Sequence, residues 1–213
     1  STNDNIRMCN VQCEANLSSG KITCNARINL SGQYSTIMRN RYISGIPDSI
    51  NNPLYNNRIF DTGKPVTVRL CEVTGLKKEF PFRCDLKVTY ESENTLVIQN
   101  PHSATIDLNG WFSHIVHSVI DTAERILDFY PDFTGQDTYR YYIKFDRPVN
   151  ILSGPEKTVL SNSFGSLNIS WSQPQPDAVL LESHFVTSSP QVKAESIADV
   201  FYIYKSILEL NTS

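Results

Sequence analysis

The amino-acid sequence predicts an all-β protein that contains one amphipathic helix, and three observations support this fold class. First, apolar and polar side chains alternate between residues 22 and 30, as they do along a strand with one buried face. Second, about ten short segments of β-strand character recur at regular spacing, with turn residues between them, as in a β-sandwich or β-barrel. Third, the apolar spacing changes between residues 109 and 131 to that of a helix.

The composition is that of an ordinary folded protein. The chain has 213 residues, of which 40% are hydrophobic and 19% are charged, and its net charge is −3. These values indicate one domain that spans residues 1–213. A charge near zero without a basic stripe argues against a dedicated nucleic-acid-binding protein. The longest apolar runs are far shorter than the ~20 residues of a membrane-spanning helix. We therefore expect no specific nucleic acid and no membrane span.

Two antiparallel hairpins are predicted in the first half of the chain. Residues 8–17 and 22–30 form the first, because a Ser-Gly turn separates two alternating segments. Residues 66–74 and 82–90 form the second. Between the hairpins lies a long irregular tract, residues 31–65, which is rich in glycine, proline and asparagine. A loop of this length is either a functional or intersubunit loop or a loop packed over a sheet edge.

The second half of the chain supplies the remaining strands. In the last segment, residues 198–210, the apolar residues fit both a strand and a helix, and the density of aromatic and β-branched residues favours a strand. The other strands are predicted at residues 95–99, 104–108, 138–146, 157–161, 166–171 and 178–186.

The predicted helix covers residues 111–130 and is inserted between strands. Asn109 can cap its start, and Pro131 prevents its continuation. His114, His117 and Asp121 share one face of this helix, and imidazole and carboxylate groups at that spacing are able to bind a metal. A solvated polar face is the favoured interpretation, because no further ligand is evident. We therefore predict no metal site.

The five cysteines give a prediction that depends on hairpin register. If the first hairpin turns about residues 18 and 19, Cys13 lies directly opposite Cys24. In a reducing compartment such a pair stays as neighbouring thiols, and in an oxidised particle it closes as a disulfide.

The same rule applies to the second hairpin. If that hairpin turns about residues 77 and 78, Cys71 lies opposite Cys84. Cys9 is then left over. The four possible disulfide or neighbouring thiol positions are therefore Cys13, Cys24, Cys71 and Cys84.

Motifs for catalysis are weak. The sequence has no Gly-x-Ser-x-Gly elbow, no recognisable cysteine-protease pattern and no glycine-rich phosphate loop before a helix. Its carboxylates offer no reason to select a glycosidase pair. We therefore expect a protein that is not an enzyme, with no catalytic residue and no cofactor.

The C-terminal third carries a family resemblance. Residues 165–170 read GSLNIS, a strand of alternating aliphatic residues follows, and residues 204–208 read YKSIL. This order resembles the closing strands of jelly-roll capsid proteins from tailless double-stranded DNA viruses, which include virophages and large nucleocytoplasmic viruses. The chain is too short for two jelly rolls. The resemblance therefore implies a single antiparallel jelly-roll sandwich, as in penton or minor capsid proteins.

The function expected from the resemblance is that of a viral structural protein. Its partners are then other copies of itself, as a pentamer, and other capsid proteins. The protein is then part of the virion and assembles in the host cytoplasm. The alternative is a secreted or surface β-sandwich that binds carbohydrate or protein, because the chain contains four Asn-x-Ser sequons and cysteines able to form disulfides. The sequons are at Asn16, Asn29, Asn168 and Asn211.

Overall fold

A computed structural model describes residues 4–41, 66–77, 80, 83–92, 95–116 and 126–210. The predicted all-β class is confirmed, because strands dominate these residues. The helices of the described residues are α1 (Gly32–Arg41) and α2 (Ile197–Leu210), and a 3₁₀ turn, Ala194–Ser196, precedes α2. The strands are β1 (Ile6–Asn16), β2 (Lys21–Ser31), β3 (Val66–Thr74), β4 (Arg83–Ser92), β5 (Leu96–Asn100), β6 (Ser103–Ile106), β7 (Gly135–Phe145), β8 (Thr158–Ser161), β9 (Gly165–Gln175) and β10 (Ala178–Thr187).

Eight of these strands form one sheet in the order β3-β4-β2-β1-β7-β10-β9-β8, and β5 and β6 form a separate hairpin. β1 and β7 pair in parallel at the centre, and the other neighbours in the sheet pair antiparallel. A jelly roll divides eight strands between two packed sheets. In this protein a single mixed sheet holds all eight, and the second layer consists of helices, loops and the β5–β6 hairpin.

One face of the sheet, here called the inner face, is buried, and the opposite face is mostly polar. The alternation follows from the period of two residues in a strand. Three groups cover the inner face along the axis of β7. α2 covers one end, where the rings of Phe164 and Tyr204 lie 5.4 Å apart. The loop that contains Trp111 and Phe112 covers the middle, and the rings of Trp111 and Tyr141 lie 4.6 Å apart. The hairpin lies over the other end.

The prediction of a helix over residues 111–130 is wrong at both ends of this range. Residues 111–116 and 126–130 are not helical, and residues 117–125 lie outside the described residues. Gly110 has a φ of +77°, which starts a turn instead of a helix. At the other end Phe129 forms a β-bridge with Val192. Trp111, Phe112 and Phe129 are buried, whereas Ile126 and Leu127 are 88% and 71% exposed, so the apolar residues of this segment do not form the single buried face that their helix-like spacing predicts.

The tail predicted as a strand is helix α2, so that prediction is also wrong. Apart from the adjacent Ile203 and Tyr204, its successive buried residues are three positions apart, and this pattern places all of them on one face of a helix. Here the helical period prevailed over the β-propensity of the aromatic and branched side chains. The buried residues are Ile197, Val200, Ile203, Tyr204, Ile207 and Leu210.

The tract predicted to be irregular, residues 31–65, begins with helix α1. Residues 42–65 lie outside the described residues. The side-chain carbonyl of Asn5 accepts a hydrogen bond of 2.9 Å from the backbone N–H of Gln33, in the first turn of α1. This contact caps the helix from a residue that is remote in sequence. A local pattern therefore could not reveal it.

The register of the first hairpin is as predicted, and that of the second is not. Cys13 lies opposite Cys24 in β1 and β2, and the two form a disulfide. Cys71 lies opposite Val88, and Cys84 lies opposite Leu30 of β2. The predicted pairing of Cys71 with Cys84 is therefore wrong. Thr74 faces Asp85, so the hairpin is centred later in the chain than residues 77 and 78, and the bulge between Val68 and Leu70 lies beyond Cys71 and does not cause this difference.

Candidate functional site

A buried network of polar side chains lies on the inner face of the sheet. Asp137 of β7 and Ser183 of β10 both point to this face, and His114 reaches them from the loop above. His114 Nδ1 lies 2.8 Å from Asp137 Oδ2, and His114 Nε2 lies 2.8 Å from Ser183 Oγ. The histidine thus connects the loop to two strands of the sheet.

Arg7 of β1 completes the network. Its guanidinium donates to both carboxylate oxygens of Asp137, with Nε 2.7 Å from Oδ1 and Nη2 bonded to Oδ2. Nη2 also donates to the backbone carbonyl of Ser113 at 2.6 Å. The guanidinium carbon lies 5.1 Å from the ring centroid of Tyr34 and 5.2 Å from that of Tyr139. Planar arginine is suited to simultaneous paired bonding and ring contact.

The charges in this network determine its ionisation. Burial by itself would raise the pKa of Asp137, but the attraction of Arg7 and then of His114 outweighs burial and lowers the pKa to about 2. Burial lowers the pKa of nearby His184, and repulsion from His114 lowers it further. Asp137 is therefore an ionised carboxylate at neutral pH, held between two hydrogen-bond donors.

The order of bonds from Ser183 through His114 to Asp137 is that of a Ser-His-Asp catalytic triad. A nucleophile of this type must approach within about 3 Å of a reacting substrate atom. Ser183, however, has 0% of its surface exposed, and Arg7 already holds the carboxylate. The geometry supports a clamp that fixes the loop onto the sheet better than it supports acyl transfer.

Sequence reasoning assigned His114 to a solvated helix face and did not select Asp137, Ser183 or Arg7. The sequence did contain one signal. Asp137, Tyr139 and Tyr141 are alternate residues of one strand and therefore lie on the same face, where Asp137 is the only charged residue. His117 and Asp121, the other members of the considered metal set, lie outside the described residues.

The predicted cysteine positions are now located. The Cys13–Cys24 disulfide is buried on the inner face. The other three cysteines, Cys9, Cys71 and Cys84, are not in disulfides. Burial raises the pKa of the Cys9 thiol to about 12 and that of the Cys84 thiol to about 11. Both groups therefore remain protonated and unreactive in the folded protein.

An open cleft of about 850 Å³ lies beside the network on the same face of the sheet. Its floor is apolar and comes from the neighbouring strands β7 and β10, through Ile143, Phe145, Val179 and Leu181. The β5–β6 hairpin forms one wall, and the segment 147–156 together with Trp171 forms the other. Ligand pockets commonly have a volume of about 300–1,000 Å³ and a mostly apolar lining.

Three further findings concern the function. In the described parts of the chain, no three His, Cys, Asp or Glu side chains are grouped as metal ligands. Within the same residues, no helix has the length and apolar character to cross a membrane. Comparison with protein-family models, curated proteins and solved structures gives no significant match.

Proposed function

We propose that this chain is a non-catalytic structural subunit that assembles with other copies of itself, as a penton or minor capsid subunit of a virus particle. The sequence resemblance of residues 165–186 to capsid proteins supports the viral setting, since these residues are strands β9 and β10, whereas residues 204–208 are helical and lend no support. The observation that supports assembly is that both edge strands of the sheet carry an exposed aliphatic side chain.

Among the described strands, β3 and β8 are the two edge strands of the eight-stranded sheet. Each has an exposed aliphatic side chain, Leu70 in β3 and Val159 in β8, and the side chain of Val159 is 80% exposed. End strands are natural sites for pairing with another chain, and proteins that remain monomeric usually protect them with charge or proline. A contact between unlike edges of two copies is heterologous, and repetition of such a contact closes into a ring when the rotation allows it.

The test is the mass of the native protein in solution. We expect the wild-type protein to have a mass several times that of its 24.1 kDa chain. Val159→Lys should give monomers, because a lysine on an end strand disfavours strand addition. Leu152→Lys is the matched control, since Leu152 is similarly exposed at 84% but lies outside the strands. A wild-type protein that is monomeric at high concentration contradicts the proposal.

A second candidate is the secreted or surface module, which the Cys13–Cys24 disulfide favours, because disulfides persist in oxidising compartments. The sequon residues Asn16, Asn29 and Asn168 are also exposed. The test is the intact mass before and after glycosidase treatment of protein made in a secretory host. Asn168→Gln should remove one glycan, whereas Asn25→Gln, an exposed asparagine outside any sequon, should remove none.

A further inference from the structure

We propose that the cleft between the β5–β6 hairpin and the sheet is a binding site for a neutral apolar small molecule. This activity is separate from assembly through the sheet edges. Three observations support this binding site: the volume and apolar floor of the cleft, the contacts that hold its two walls apart, and the charges at its rim.

The hairpin wall is fixed at its base and at its side. The backbone N–H of Asp107 donates to the carbonyl of Thr95 at 2.8 Å, and the hydroxyls of Thr95 and Ser92 share a hydrogen bond. On its side, the turn at Gly20 approaches Leu96 and Ile98, since a Cβ on Gly20 would lie 3.4 Å from the Leu96 carbonyl oxygen. These contacts hold the hairpin in place above the floor.

The opposite wall is anchored independently to β9 and to the turn after it. The backbone N–H of Val149 donates to the carbonyl of Pro176 at 2.8 Å, and the side chain of Gln173 donates to the carbonyl of Val149 at 2.9 Å. Trp171 Nε1 donates to the carbonyl of Pro155 at 3.1 Å. Gly154 lies so close to the Trp171 ring that a Cβ there would be 2.7 Å from it. Any larger residue at position 154 would displace this wall.

Each wall is held by contacts that lie outside the cleft. The walls therefore do not collapse onto the apolar floor. A cleft of this volume that opens to solvent is accessible to a ligand. A preformed site also lowers the entropic cost of binding.

The rim of the cleft defines the class of ligand. Arg147 and Glu156 both line the cleft, both are exposed, and their charges are opposite. The rim therefore gives no net preference for an anion or a cation. At the tip of the hairpin, Asn100 and Ser103 are hydrogen-bonded to each other at 3.1 Å. An uncharged ligand with an apolar body matches the apolar floor of the cleft.

The experiment is a fluorescence titration with N-phenyl-1-naphthylamine, a neutral dye that becomes bright in apolar surroundings. We expect saturable binding with one site per chain. Ile98→Asp should weaken the affinity by about tenfold or more, because it places a carboxylate against the apolar body of the dye. Val97→Asp is the matched control and should change the affinity by less than about twofold. Ile98 lines the cleft and Val97 does not, while their exposures are similar, 39% and 47%.

A second pair of variants keeps the test decisive if Ile98→Asp disturbs the hairpin. Leu152→Asp lies on the other wall and should also weaken binding, whereas Ile126→Asp should not, because Ile126 is similarly exposed (88% against 84%) but lies outside the cleft. Circular dichroism checks that each variant is folded. Absence of saturable binding overturns the proposal, and so does equal binding by the cleft and control variants. Tighter binding of the anionic dye 1-anilinonaphthalene-8-sulfonate, lost in Arg147→Gln, overturns the neutral ligand class.

Discussion

At the scale of the residue, Asp137 is a buried charge that depends on its hydrogen-bond partners. It is fully buried, it is ionised, and it accepts hydrogen bonds from Arg7 and His114. Each partner comes from a different segment, one from β1 and one from the loop before β7. The carboxylate therefore links segments that are separated by 130 and 23 residues along the chain.

We expect Asp137→Asn to lower the free energy of unfolding by about 3–5 kcal/mol, because it leaves the buried guanidinium of Arg7 without its counter-charge. Urea unfolding followed by circular dichroism measures this change. Glu182→Gln is the control, since it removes one partner of the exposed Arg140–Glu182 pair. That change should cost less than about 1 kcal/mol. Equal losses in the two variants contradict the importance of the buried pair.

The low pKa of Asp137 also gives a pH dependence. The folded-state pKa is about 2 and the usual value is 3.8, so the folded protein holds this proton more weakly than the unfolded chain. The resulting stability is present above about pH 4 and is lost as the pH falls toward 2. We expect the free energy of unfolding of the wild type to fall more steeply over this window than that of Asp137→Asn. Parallel curves for the two proteins would contradict this expectation.

At the scale of the element, α2 shows how packing determines a conformation that composition leaves open. Its aromatic and branched residues suit a strand, but one helix face places six side chains against the inner face of the sheet. The ring of Tyr204 contacts the rings of Phe129, Phe164 and Phe185 at 5.4–6.4 Å. The helix therefore closes the end of the core that lies opposite the cleft.

We expect Ile203→Ala to destabilise the protein by about 2–5 kcal/mol, because it removes a fully buried side chain and leaves a cavity between α2 and the sheet. The neighbouring change Tyr202→Ala should alter the stability by only about 0.5 kcal/mol, since Tyr202 is exposed. Thermal and urea unfolding of both variants measure the difference. If Tyr202→Ala is the more destabilising variant, the buried face of α2 has been assigned wrongly.

At the scale of the whole molecule, the stability is unevenly distributed. β1 and β7 lie at the centre of the sheet and pair with neighbours on both sides, while β5 and β6 pair only with each other in the described sheets. A two-stranded hairpin is marginally stable without further support. The hairpin over the cleft is held by its contacts at Thr95 and Gly20 and not by a neighbouring strand, so we expect it to open more readily than β1 and β7.

Hydrogen exchange followed by mass spectrometry tests this distribution. We expect the amides of β1 and β7 to exchange most slowly and those of β5 and β6 to exchange early, because local opening is easiest where few strands pair. Addition of N-phenyl-1-naphthylamine should slow exchange in the hairpin and leave β1 and β7 unchanged. Hairpin amides that are as protected as those of β7 in the absence of dye would show that the hairpin is more stable than its pairing indicates.

The sequence by itself determined the strands and the turn of the first hairpin. Alternation with a period of two is a local property, so β1, β2, β7 and β10 were predicted within a few residues. The opposition of Cys13 and Cys24 followed from the position of one short turn. In the second hairpin the same rule was wrong, because the centre of the connection between Thr74 and Asp85 could not be predicted from the local pattern.

Only the tertiary structure decided the rest. The parallel pairing of β1 with β7 joins residues about 130 positions apart, and no local period specifies such a partner. Two segments have an apolar spacing that fits more than one conformation. In contact with the inner face, the segment around His114 is a loop and the tail at residues 197–210 is a helix. The buried network and the cleft arise where these distant segments meet, because burial and ion pairing depend on neighbours in space.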